Sequence, residues 1–156
     1  MSIEDIYNYV KVDDRLITGG HPTAEQLRAV AAAGFTTVIN LSTYNQGYSL
    51  EGEEEIVTSL GMAYTNIPVD WNNPTDDDFT AFEQAMKLRG DAPLFLHCAA
   101  NYRVTAFYSL YARKYLGWSA EQAAAFRTQI WALDHYPPWD AFIARQTAEI
   151  EQSGAG

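Results

Sequence analysis

The chain has 156 residues, a length that fits one domain, and 47% of them are hydrophobic and 13% aromatic, enough for a packed core. That excludes a disordered or fibrous chain. Ten Lys and Arg stand against 20 Asp and Glu, so the net charge is −10; such a surface disfavours nucleic acid and anionic membranes as partners, while leaving room for a local cationic pocket.

Cys98 is the only cysteine. No disulfide can therefore form within the chain, and neither can a thiolate-rich zinc or iron–sulfur site. Met1–Tyr9 carries Glu4 and Asp5 and lacks the apolar run of a signal peptide, and no segment approaches the roughly 20 apolar residues of a membrane span. These features predict a cytoplasmic, acidic globule: one domain over residues 1–152, with 153–156 as a fraying tail. Oligomeric state is not legible.

In chain order, Tyr9–Val12 and Arg15–Thr18 read as a hairpin about Asp13-Asp14. Thr23 with Gln26 three residues later forms a capping-box pattern for a helix ending at Gly34, with Leu27, Val30, Ala31 and Gly34 on its inner face. Phe35–Leu41 is a β-branched, buried strand. Glu51–Leu60 follows as a helix whose acidic first turn suits the positive end of the dipole, and Met62–Val69 as a strand. Thr75–Leu88 is a helix turning Phe79, Phe82 and Met86 inward. Pro93–His97 is short and apolar, as a central parallel strand would be. Three helices complete the chain: Val104–Leu116, Ser119–Trp131 with a Ser119/Gln122 capping box, and Trp139–Gln152 after the Pro137-Pro138 break.

This order predicts an α/β three-layer sandwich around a mostly parallel sheet of four or five strands. Ligands in such folds collect at the carboxyl ends of the strands. Three loops leave that edge, 42–50, 70–74 and 98–103, and are expected to meet.

The third loop carries the chemistry. In Leu96-His97-Cys98-Ala99-Ala100-Asn101-Tyr102-Arg103-Val104-Thr105 the cysteine sits at a strand end, small residues follow, and an arginine opens a helix. A loop wrapped at a helix N-terminus aims backbone N–H groups at one point, and Arg103 adds a planar, bidentate partner for an oxyanion. The same field is expected to lower the thiol pKa. A free thiol of pKa about 8.5 is only ~3% thiolate at pH 7, so full ionisation gains about 30-fold. Further acceleration must come from stabilising the transferring group and protonating the leaving group. An inert buried thiol is the bland alternative for Cys98, and a surface cation that for Arg103. Arginine in a first turn, however, opposes the helix dipole unless an anion lies nearby.

His97-Cys98 and Arg103 on a strand–loop–helix, with three helices after the strand, resemble the cysteine-dependent tyrosine and dual-specificity phosphatases. The resemblance is nearest to small bacterial members with a Gly-x-x-Pro segment, here Gly19-Gly20-His21-Pro22. It extends from about Arg15 to Trp131, through Thr37-Val38-Ile39-Asn40-Leu41 and Ile67-Pro68-Val69-Asp70. It implies hydrolysis of phosphomonoesters, of protein-tyrosine or dual-specificity type, through a cysteinyl-phosphate. Cys98 is then the nucleophile, while Arg103 and the loop residues Ala99, Ala100, Asn101, Tyr102 and Val104 hold the phosphoryl oxygens. An aspartic acid protonates the leaving oxygen, with no metal or cofactor. Free phosphate or sulfate would bind the same loop.

Asp70, 28 residues before Cys98 at a strand end, is the candidate acid, in a segment resembling the family's mobile acid loop. Asp76 is the fallback, though Asp76-Asp77-Asp78 is also explained as helix-start charge beside a Thr75 cap. His97 is expected to steady the loop from a buried position. Trp71, Tyr44, Tyr48 and Tyr102 are candidate walls for an aromatic phosphate. His21 and His135 read as structural.

The loop departs from the family pattern: four residues separate Cys98 from Arg103 where five are usual, and the usual glycine is missing. Asn101 is the residue best able to replace that glycine in a left-handed conformation. One amide fewer, at about 1.5–3 kcal/mol for a hydrogen bond to a charged group, would slow turnover roughly 10- to 150-fold. Val104 also stands where the family has Ser or Thr, and Thr105 lies about 100° further round the helix. Two other functions therefore stay open: a pseudophosphatase that binds phosphate or a phosphoprotein without turnover, and a rhodanese-like sulfurtransferase. Rhodanese loops have this Cys–Arg spacing, but such domains end soon after their cysteine helix, whereas 58 residues follow Cys98.

Overall fold

In the computed structural model, which describes residues 2–44, 49–132 and 136–154, the strands are β1 (Val10–Asp13), β2 (Leu16–Gly19), β3 (Thr37–Asn40), β4 (Ala63–Asn66) and β5 (Leu94–His97). The helices are α1 (Ala24–Ala32), α2 (Glu53–Ser59), α3 (Asp76–Arg89), α4 (Tyr102–Tyr115), α5 (Ala120–Thr128) and α6 (Pro137–Gly154). A short 3₁₀ turn at Ile3–Asp5 precedes β1. Capping boxes form at Thr23/Gln26 and Ser119/Gln122 as predicted, and two more at Ser2/Asp5 and Thr75/Asp78.

The sheet order is β1-β2-β5-β3-β4, with β1 antiparallel to β2 and every other pair parallel. Strand β5, buried at every residue, takes the centre, where both faces are covered. Alternation along the strands sorts the core into two layers. Leu16, Ile39, Leu94 and Leu96 pack with Phe79, Phe107 and Trp139 of α3, α4 and α6. Ile17, Val38 and Phe95 face the other way, onto Leu27, Val30 and Val57 of α1 and α2. This is the predicted sandwich. Register then sets the site: Gly19, His97 and Asn40 stand abreast at the carboxyl edge.

Several boundaries differ from the sequence expectation. The regular strands are four residues long, because ladder pairing stops before the flanking apolar residues do. On α1, Gly34 is exposed and Ala31 half-buried, so the inner face narrows to Leu27 and Val30. Helix α4 begins at Tyr102, two residues before Val104, which puts Arg103 inside its first turn. Helix α5 stops at Thr128, and Trp131 is buried in the segment beyond. The proline pair opens α6 rather than preceding it: a helix's first N–H groups have no intrahelical acceptor, so proline costs nothing there. Helix α6 also runs to Gly154, two residues past its expected end. No helix among the described residues is long and apolar enough to cross a membrane.

Candidate active site

The loop after β5 is held from behind by backbone. His21 donates its N–H to the Ala99 carbonyl at 2.9 Å, and its ring Nδ1 lies 2.9 Å from the same oxygen. The Asn8 side-chain amide donates to the Ala100 carbonyl at 2.9 Å, and the Asn101 amide returns a bond to the Asn8 carbonyl at 2.9 Å and another to Thr18 Oγ1 at 3.0 Å. A trans peptide sets its N–H opposite its C=O. The tethers on the Ala99 and Ala100 carbonyls therefore fix the orientation of the two peptides that follow them, while the Cys98 N–H is directed back to the Gly19 carbonyl at 3.3 Å. Gly20 makes the close approach feasible: a Cβ there would lie 2.6 Å from the Ala99 carbonyl oxygen and 3.2 Å from the Ala100 Cα. Gly20 is thus a packing requirement of the loop, whereas a Cβ on Gly19 would meet Ile6 Cγ2 at 2.6 Å.

Asn101 adopts φ 69°, ψ 10°, the left-handed conformation anticipated for it, and caps α4. Its carbonyl accepts from the Thr105 N–H at 3.2 Å and from Thr105 Oγ1 at 2.8 Å. That hydroxyl also accepts from Trp131 Nε1 at 3.0 Å. Thr105 is thereby committed to the helix start.

A cavity of about 240 Å³ opens above the loop, lined by Cys98, Ala99, Ala100, Tyr102, Arg103, Trp71 and Tyr136. Cys98 is 1% exposed and forms its floor. Arg103 is 5% exposed, donates from Nη1 to the Val69 carbonyl at 2.8 Å, and has no carboxylate within 4 Å among the described residues. A buried guanidinium without a counter-charge is costly unless an anion joins it. The aromatic wall is rigid. Trp71 packs against Tyr102, Trp131, Tyr136 and Trp139 at centroid distances of 5.0–5.8 Å, and its carbonyl accepts from Trp139 Nε1 at 2.7 Å. Partial burial holds the Tyr102 phenol above its ordinary pKa, so it stays neutral.

His97 is buried as expected, with Nδ1 3.2 Å from the Cys98 carbonyl oxygen. Its Nε2 lies 2.5 Å from Glu53 Oε2, a carboxylate only 8% exposed on α2. Sequence reasoning took Glu53 with Glu54 and Glu55 as helix-start charge. The available signal was its place four residues before the apolar Val57, on the same face. Tyr136 was also missed, and its neighbour Pro137 gave no hint of a pocket wall.

The expected sites divide as follows. Asp70 is exposed and does not line the cavity; its Oδ1 accepts from the Asn72 N–H at 2.9 Å, bending the turn that carries Trp71. Asp76 is engaged with Arg145 and with Gln146, whose Nε2 donates at 2.7 Å, so it ties α3 to α6. The side chains of Asn101 and Val104 are fully buried behind the loop and add no wall, because their helix-start positions face the core. Of the first loop, the described residues 42–44 and 49–50 do not line the Cys98 cavity. Tyr44 is 64% exposed and borders a separate cavity with Asn40, Ser42 and Tyr64, because Asn66 and the backbone after β4 pair with that loop and hold it over α2. Tyr48 and His135 lie outside the described residues.

A five-stranded, mostly parallel sandwich with cysteine and arginine on one strand–loop–helix defines the class: the cysteine-dependent tyrosine and dual-specificity phosphatase superfamily. The chain belongs, more narrowly, to the family described as "DSP-PTPase phosphatase fused to NAD+ Kinase", whose model matches residues 2–134. It is 33% identical to a candidate phosphatase (DUF442) from Shewanella putrefaciens CN-32, with a TM-score of 0.86 and coverage of 95% of this chain and 96% of that one. TpbA from P. aeruginosa, solved in complex with phosphotyrosine, shares the fold at 12% identity, with a TM-score of 0.75 over 100% of this chain and 94% of its own. A "Beta-lactamase hydrolase-like protein" of Agrobacterium fabrum is 30% identical over 104 residues, which make up 65% of this chain and 24% of that protein. The chain thus spans about a quarter of the length of the curated relatives it matches.

Proposed function

We propose that this protein hydrolyses phosphomonoesters, aryl phosphates such as phosphotyrosine foremost, through a cysteinyl-phosphate. The observation that carries this reading is Arg103, a buried cation without a carboxylate partner, lining one cavity with the Cys98 thiol. Cys98 Sγ attacks phosphorus, the P–O bond to the leaving group breaks, and Asp70 as its acid form protonates the departing oxygen. Asp70, now a carboxylate, takes a proton from water as that water attacks phosphorus, which releases phosphate and the thiolate. Arg103 and the loop N–H groups stabilise the charge on the transferring oxygens. Trp71, Tyr102 and Tyr136 give an aromatic rim suited to a ring-bearing ester.

Asp70 is assigned the acid role because it directly follows Val69, whose carbonyl holds Arg103. Its exposed position favours a second reading, a phosphate binder without turnover. One experiment separates them: hydrolysis of p-nitrophenyl phosphate by the native protein, Cys98→Ser and Asp70→Asn. The hydrolase reading expects turnover that disappears in Cys98→Ser and falls by about 10²- to 10⁴-fold in Asp70→Asn for esters with poor leaving groups. Native rates equal to those of Cys98→Ser, with phosphate still bound, would establish the binder instead.

A further inference from the structure

On the far side of α4 from its Arg103 end, a second cavity of about 180 Å³ lies among α4, α5 and α6. Arg127 lines it. This residue is 8% exposed, and its guanidinium makes no hydrogen bond or ion pair among the described residues; Nη1 is shut off from solvent with no partner at all. Burial pulls its pKa below the usual arginine value, with Asp140 attracting it only from a distance. Other arginines show the ordinary solution: Arg89 donates to the Ala92 and Arg15 carbonyls, at 2.6 and 3.0 Å. Arg113 faces the same cavity with a buried Nε that also lacks a partner, while its Nη1 pairs with Glu151 at 3.2 Å.

Of the two guanidinium charges, Glu151 offsets one. Asp140 acts on Arg127 only through space, so the guanidinium left without a hydrogen-bonded counter-ion among the described residues is that of Arg127, which suits a monoanion better than a dianion. The remaining lining is largely apolar, with Leu110, Ala123 and Ile143, and its other polar side chains are Thr147 and Ser109, whose hydroxyl donates to the Ala106 carbonyl. We propose that this cavity binds a small monocarboxylate, its oxygens on Arg127 and Arg113 and its short apolar body against Leu110, Ala123 and Ile143. An Arg–carboxylate pair satisfies several N–H donors at once and offsets the buried charge. This site stands independently of the reading of Cys98.

The probe is sodium butyrate, titrated into the full chain and followed by the amide signals of Ala123 and Ala124, the Nε–H signals of the arginines, and the melting temperature. Inorganic phosphate, followed at the Ala99 and Ala100 amides, reports separately on the Cys98 cavity. Saturable shifts at Ala123 and Ala124 with a raised Tm are expected. Arg127→Met should weaken butyrate roughly 10- to 150-fold while leaving the phosphate response intact. Should that variant fail to fold, Arg113→Gln must weaken butyrate in the same direction. Native protein with no saturable response at Ala123 and Ala124, or a response unchanged by these substitutions, overturns the proposal.

Discussion

Arg103 carries two consequences in one side chain. It sits in the first turn of α4, where a cation meets the positive end of the dipole, and it is buried with the Val69 carbonyl as its hydrogen-bond acceptor among the described residues. Both terms oppose the empty protein and favour the anion-bound one. Replacing the guanidinium by an apolar chain of similar length should therefore cost the fold little. We expect Arg103→Met to melt at or above the native temperature in plain buffer, to lose the rise in Tm that phosphate gives the native protein, and to lose turnover by about 10²-fold or more. Thermal melts with and without phosphate check the first two, and p-nitrophenyl phosphate hydrolysis the third. A large drop in Tm without phosphate would mean that Arg103 is structural.

At the scale of elements, the loop is a ply of backbone laid on backbone. The Gly19-Gly20 stretch, the Tyr7–Asn8 segment and residues 98–101 interlock through hydrogen bonds that leave no room for a side chain at Gly20. Gly20→Ala should cost about 1–3 kcal/mol in urea unfolding, because besides the Tyr7 ring it meets the Ala99 carbonyl oxygen and the Ala100 Cα, main-chain atoms that cannot swing aside. Phosphate affinity and turnover should fall with it, since the displaced atoms are those that aim the loop.

Much of this element-level plan is legible in the sequence. Capping boxes, the apolar run Leu94–Leu96 and the β-branched run through Thr37, Val38 and Ile39 are local signals, and each led to the correct element. Asn101 was legible for the same reason, since a left-handed site without glycine favours asparagine. The contacts that complete the site were not. Glu53 meets His97 across 44 residues, Asn8 meets Ala100 across 92, and Tyr136 reaches the cavity from beyond α5. No periodicity records such pairings. The described residues of the first loop show the same limit: chain order puts them at the correct sheet edge, but the bond from Asn66 to the Ser42 carbonyl decides which cavity they border.

For the molecule as a whole, two phenols on opposite sides of the sheet, half-buried Tyr64 and buried Tyr108, weaken stability at alkaline pH. Burial pushes Tyr64, beside α2, and Tyr108, on α4, each up to about 12. An unfolded tyrosine ionises near 10. Between these values the unfolded chain has released protons that the folded chain still holds, so stability falls as pH rises. Full stability from these groups is present below about pH 10 and is lost progressively toward pH 12. Tyr108→Phe should flatten that decline, read as urea midpoints across this range. An equally steep decline in the variant would assign the effect to other groups.

The strand made last in the sheet is the strand every other part waits for. Because β5 lies between β2 and β3, synthesis delivers two finished strands whose facing edges have no partner until residue 97 has emerged. Exposed parallel edges are templates for intermolecular pairing. A nascent chain halted before β5 is accordingly a client for chaperones rather than a half-built domain. A fragment of residues 1–92 should aggregate, as light scattering would show, and a peptide supplying residues 93–103 should suppress that aggregation; a fragment that stays monomeric alone would refute this folding order.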